Sequence, residues 1–101
     1  MYRIEVNHND KENERIHKQC ERMVKLVDDE QIALIVLGEY SKQEGGIRCK
    51  ATTVVHANEY GKLALAAALS ENMMTHDDVR DIIFAAVSIF EQHQQYKASQ
   101  N

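Results

Sequence analysis

The sequence predicts a small α+β domain, a three-stranded, mainly antiparallel sheet with three helices in the order β-α-β-β-α-α. Three observations predict it. Apolar residues alternate at the N-terminus and again beyond residue 46, two regions repeat at helical spacing, and residues 32–38 are apolar without interruption. At 101 residues the chain has the usual size of one domain, expected over 1–96 with a frayed tail at 97–101.

Tyr2, Ile4 and Val6 alternate with Arg3 and Glu5, which is the period of a strand with one face toward a core, so the first strand is expected over 2–6. Asn9 or Asp10 then offers an N-cap. Glu12 stands three residues after Asn9 as a capping-box partner, and Ile16, Cys20, Met23, Val24 and Val27 form one narrow apolar stripe. The first helix is therefore expected over 10–27. Its other faces mix both signs of charge, with Glu14 and Lys18, and Glu21 and Lys25, at the four-residue spacing that suits a solvated helix. Asp28, Asp29 and Glu30 oppose the helix dipole and should end it.

Residues 32–38 suit a strand covered on both faces, or covered on one and buried in a subunit contact on the other, and make the expected central strand. Residues 39–46 read as a polar linker ending in the turn signal Gly45-Gly46. Ile47, Cys49, Ala51, Thr53 and Val55 then share the inward face of a third strand over 47–55. Asn58 can cap a second helix in which Leu63, Ala64, Ala67 and Met74 share one face while Leu65, Ala66, Ala68, Leu69 and Met73 widen it. Thr75 with Asp78 forms a second capping box, and Val79, Ile82, Ile83, Ala86, Val87, Ile89 and Phe90 follow with helical period. From His93 the periodicity is lost.

The balance of 12 Lys plus Arg against 16 Asp plus Glu, net −4, argues against duplex DNA, whose binding draws on phosphate neutralisation. The join at 72–76 has the outline of a helix-turn-helix, but its second helix opens with Asp77, Asp78 and Asp81, the wrong charge for phosphates. Cys20 and Cys49 are too few for a disulfide framework, so free thiols in a reducing, cytoplasmic setting are expected. The N-terminus lacks a signal-peptide core, and the apolar run is far shorter than the roughly 20 residues of a membrane span.

No catalytic residue is expected, because both cysteines fall on apolar faces and the paired acids Asp28/Asp29 and Asp77/Asp78 are explained by helix ends. Nor is a metal or other cofactor. Among His8, His17, His56, His76 and His93, the nearest approach to ligand spacing is His17 with Cys20, two groups where zinc needs three or four.

Residues 55–62 gather His56, Asn58 and Tyr60 where a strand passes into a helix. Free backbone N–H groups and the helix dipole favour an anion there. Arg48 and Lys50, on the strand face opposite Cys49, add positive charge, and Tyr40 or Tyr60 can stack a base, so these six form the candidate site for a small anionic nucleotide. The plainer reading has Asn58 only capping, Tyr60 packing by its ring, and Arg48 and Lys50 solvating a sheet face. On the third helix, Phe84 lies off the line of Val79, Ile83, Val87 and Phe90, and Ile82 with Ile89 forms a second line. A three-stranded sheet shields little more than one side of two helices, so Ile82, Phe84, Ile89 and Phe90 are expected at a contact between copies, with simple core burial as the alternative.

The succession of a charged amphipathic helix, the run at 32–38, a polar hairpin, and the apolar stretches at 63–69 and 79–83 resembles small accessory proteins of tailed bacteriophages and prophages. The resemblance covers residues 31–90 and assigns no role to any of them. It implies one of two activities. Some such proteins form homo-oligomers that sequester nucleotide signals of host immunity, while others bind a defence protein directly. The expected function is accordingly a non-enzymatic, homo-oligomeric binding protein acting as a nucleotide sponge in the host cytoplasm, or else an inhibitor or adaptor that docks a host protein.

Overall fold

The computed structural model describes residues 3–99. Tyr2 of the expected first strand lies outside them, as do Gln100 and Asn101 of the expected tail. In chain order the elements are β1 (Arg3–Asn7), α1 (Glu14–Val24), β2 (Ala33–Gln43), β3 (Gly46–His56), α2 (Glu59–Thr75) and α3 (Asp77–Ser99). The chain divides into two compact units, Met1–Leu65 and Ala66–Asn101. The first holds the sheet, α1 and the opening turns of α2; the second holds the rest of α2 and α3.

The protein is α+β, with three helices and three strands, but its sheet is mixed rather than mainly antiparallel. Strand order is β1-β3-β2, with β1 parallel to β3 and β2 antiparallel to it. The reason lies in where α1 leads. β1 ends beside Lys50, whereas β2 begins beside His56. A helix of 11 residues advances about 16 Å, so α1 carries the chain onward across β3 instead of back, and β2 has to run the opposite way. The apolar run at 32–38 is therefore not in the central strand. That place belongs to β3, and β2 is an edge.

β2 is longer than expected, because 39–43, read as a linker, continue the strand and pair with β3 as far as Gln43 opposite Gly46. An edge strand tolerates polar residues on both faces, which removes the need for a break. Glu44 and Gly45 turn the hairpin, and Gly45 takes a φ of +79°, which a residue with a Cβ adopts only at a cost.

α1 is shorter than expected. Asn9 does not cap the helix; its side-chain oxygen accepts from the N–H of Lys11 at 3.0 Å and builds a separate turn ahead of it. Asn13 takes the N-cap position without a side-chain capping bond. The stripe is otherwise as expected, with Ile16 and Cys20 fully buried. Lys18 pairs with Glu14 at 3.0 Å, whereas Glu21 turns to His17 at 2.9 Å.

α1 lies on the face of the sheet that carries Leu37, Thr52 and Val54. The opposite face, with Ile47, Cys49 and Val55, was expected to point inward. It is the open one where β2 begins and β3 ends, with Leu34, Val36, Thr53 and Val55 exposed, whereas along 47–51 Ile47 and Cys49 are half-buried and Ala51 is buried while Arg48 and Lys50 are exposed. Among the described residues the buried set is Ile16, Cys20, Ala51, Asn13, Thr52 and Gly46, all within the first unit.

α2 begins as expected, with the Asn58 side chain accepting from the N–H of Gly61 at 2.7 Å. Thr75 does not cap α3. It is the last residue of α2 and its hydroxyl turns back toward the Glu71 carbonyl at 3.3 Å. Only His76 separates the two helices, and the backbone bonds from His76 N–H to Asn72 and from Arg80 N–H to His76 carry the helical ladder through the join. α3 stays helical to Ser99, past the end of its apolar periodicity.

Candidate functional site

Three surfaces have the chemistry to bind something, and the sequence-predicted residues are divided among them. At the end of the sheet where β2 begins and β3 finishes is an open cleft of about 740 Å³, lined by Asp29, Glu30, Ile32, His56, Asn58 and Tyr60 among others. Three predicted ligand residues, His56, Asn58 and Tyr60, thus share one cavity. Close contact of the first turn of α2 with the rest of the unit forms its wall, since a side chain at Gly61 would meet Ile32, Ala57 and Asn58 at 3.1 to 3.2 Å. The lining charges are the carboxylates of Asp29 and Glu30, with no Lys or Arg among them. Asn58 spends its oxygen on the helix cap, and the Tyr60 ring stands 84% exposed.

Arg48, Lys50 and Tyr40 belong elsewhere. They line a groove of about 200 Å³ with Glu39 and Ser41. Lys50 is six positions before His56 on β3, roughly 20 Å along a strand, so the six candidates form two groups and not one site within a single chain. The groove's charges are partly matched. Arg48 pairs with Glu5 at 3.1 Å, and Glu39 pairs with Arg15 of α1. Tyr40 is 76% exposed, but the register puts its ring beside Cys49, on the sheet face opposite Arg48 and Lys50.

The third surface is apolar. On the sheet face opposite α1, the strand register sets Leu34 beside Val55, Val36 beside Thr53, Tyr40 and Val6 beside Cys49, and Ile4 beside Ile47. Ile4, Val6, Leu34, Val36, Tyr40 and Val55 are all exposed. The helices add more. α2 buries none of its residues, and its apolar side chains are spread around the axis instead of gathered in a stripe. On α3, Ile82, Phe84 and Phe90 of the predicted subunit contact are exposed, and Ile89 is half-buried.

Sequence reasoning missed a polar cluster between α1 and the sheet. The buried Thr52 hydroxyl donates to Asp10 at 3.1 Å and also meets His17 Nδ1 at 3.3 Å. Beside it, buried Asn13 donates through Nδ2 to the carbonyls of Asn7 at 2.8 Å and Ala51 at 3.4 Å. This cluster pins α1 to β1 and β3. No local pattern in the chain announces it, because its members come from three separate elements.

Cys20 is buried in the core and Cys49 is half-buried on the open face; both are free thiols. Among the described residues no group of His, Cys, Asp or Glu is arranged to hold a metal ion, and no helix is long and apolar enough to cross a membrane. The chain matches no protein-family profile, and no curated protein and no solved structure is similar to it.

Proposed function

We propose that the protein is a non-enzymatic binding protein that works as a homo-oligomer. The observation that supports this most strongly is the state of α2 and α3. A helix apolar on all sides is stable when surrounded, yet α2 fully buries none of its residues and, of its apolar side chains, half-buries only Leu65, Leu69 and Met73, and α3 exposes Ile82, Phe84 and Phe90. A second copy supplies the missing surroundings. Light scattering on the purified chain should return a mass at least twice that of one chain. Replacing Phe84 or Ile82 by glutamate should raise the dissociation constant at least about tenfold, since a hot-spot truncation costs upward of about 1.4 kcal/mol. A chain that is solitary at every concentration removes the proposal.

In this reading the ligand is a small nucleotide-type anion, the activity that a phage-type sponge would use against host immunity. The groove lined by Arg48 and Lys50 supports it, because it sets two cations next to each other on one sheet face. At about 200 Å³ it is smaller than the roughly 300–1,000 Å³ of ordinary small-molecule sites, so a neighbouring subunit would complete it. Native mass spectrometry after incubation with a nucleotide pool should show retained ligand mass. Arg48→Ala should weaken retention about 10- to 100-fold, the loss of one charge-assisted bond.

One observation favours a second reading, a protein-interaction inhibitor or adaptor. The larger cleft carries Asp29 and Glu30 with no Lys or Arg, which suits a basic segment of a host protein better than a phosphate. An oligomer that stays empty of nucleotide after that incubation decides for it.

A further inference from the structure

We propose that the open face of the sheet is itself a self-association surface, which packs against the same face of a second copy to form a two-sheet sandwich with α1 on the outside of each layer. This rests on the homo-oligomer reading and deepens it by naming a surface other than α3.

The first argument is area. Ile4, Val6, Leu34, Val36, Tyr40 and Val55 are between 39% and 76% exposed on this one face, which amounts to about 700 Å² of side-chain surface set against roughly 800 Å² per partner in a stable interface. Single monomers rarely show a contiguous apolar patch of that size. The second argument is charge. By register the face consists of Ile4 and Val6 of β1, alternate residues from Leu34 to Lys42 of β2, and alternate residues from Ile47 to Val55 of β3. Its one charged strand residue is Lys42, near the far end of the edge strand, and His8, just beyond β1, bonds to Thr53 on the same face at 3.0 Å. A two-fold axis through the middle of the face therefore brings no like charges together, and the surface is complementary to itself. Shape agrees, since two apolar sheet faces pack about 10 Å apart with interleaved side chains. α1 meanwhile occupies the other face through Ile16 and Cys20, so the pairing displaces nothing.

Cys49 reports on this without any substitution. It lies on the central strand of the open face and is half-buried, whereas Cys20 is buried within the core. In the unaltered chain, labelling of Cys49 by a bulky maleimide, followed by peptide mass mapping, should slow at least about tenfold between dilute and concentrated protein, because the reagent reaches the thiol only in the dissociated chain. Val36→Glu should abolish that protection. It should also halve the mass seen by light scattering and raise the dissociation constant at least about 100-fold, since two carboxylates would be buried across the axis. Slow labelling that does not change with concentration would mean that α2 or α3 of the same chain covers the face, and would overturn the proposal. So would an unchanged mass in Val36→Glu. If Phe84→Glu still lowers the mass in that case, assembly through α3 stands and the sheet pairing alone falls. A solitary chain at all concentrations removes both.

Discussion

Asn13→Asp is expected to lower the stability of the fold by about 4 kcal/mol at neutral pH, a large part of the 5–15 kcal/mol that holds a typical domain together. The change is isosteric, so packing is kept and the loss is electrostatic. Asn13 is 3% exposed, and its amide nitrogen donates to the carbonyls of Asn7 and Ala51. A carboxylate has no hydrogen to give, and one of its oxygens would face two carbonyl oxygens at hydrogen-bond distance with no cation to relieve it. The same point ties the end of β1, the middle of β3 and the start of α1, so all three loosen together. A protonated carboxyl regains one donor, so the folded variant holds its proton more tightly than the unfolded chain, which titrates near roughly pH 4. The penalty is therefore small below that pH and grows as pH rises through the raised folded value. Urea unfolding followed by circular dichroism at pH 7 and at pH 4 measures both. A loss below about 1 kcal/mol at pH 7 would show that the Asn13 bonds carry little.

Gly46→Val is expected to release β1 from the sheet at a cost of about 3 kcal/mol. β1 touches the sheet through β3 alone, and Arg3 stands opposite Gly46 in the parallel register. The Arg3 N–H donates to the Gly45 carbonyl at 2.7 Å, which draws the two backbones together at this point. A Cβ on residue 46 would fall on the Arg3 carbonyl oxygen, with the Arg3 nitrogen 2.9 Å away. Backbone atoms cannot swing aside as a side chain would, so the strand must leave. Amide exchange should show protection lost at Ile4, Glu5, Val6 and Asn7 while the β2–β3 hairpin keeps its own. Unchanged protection in β1 would mean that the backbones separate without cost.

Some interactions that span four residues or fewer were legible in the sequence, while others of the same span, the capping boxes at Asn9 and Thr75 and the Glu21–Lys25 pair, gave way to competing partners. The Ile16 and Cys20 stripe, the Glu14–Lys18 pair, the Asn58 cap on Gly61 and the turn at Gly45 all depend on spacing along one element, and spacing is what a sequence records. The grouping of the candidate site was less legible. His56, Asn58 and Tyr60 share a cleft because a strand end and a helix start are adjacent in the chain, whereas Arg48 and Lys50, close in number, lie far off because a strand spends over 3 Å on every residue.

The sequence by itself determined the number, type and chain order of the helices and strands, but not the bounds of α1, β2 and α3. It determined, through alternation, that β3 has two chemically different faces. Only the tertiary structure decided which face α1 covers, and with it that β1 runs parallel to β3 and that β2 is an edge. The physical reason is that this choice rests on contacts between residues 35 to 42 positions apart, His17 with Thr52, Asn13 with Ala51, and Asp10 with Thr52. Both sheet faces are apolar enough to attract a helix; the polar cluster at Asn13 and Thr52 exists on one of them alone.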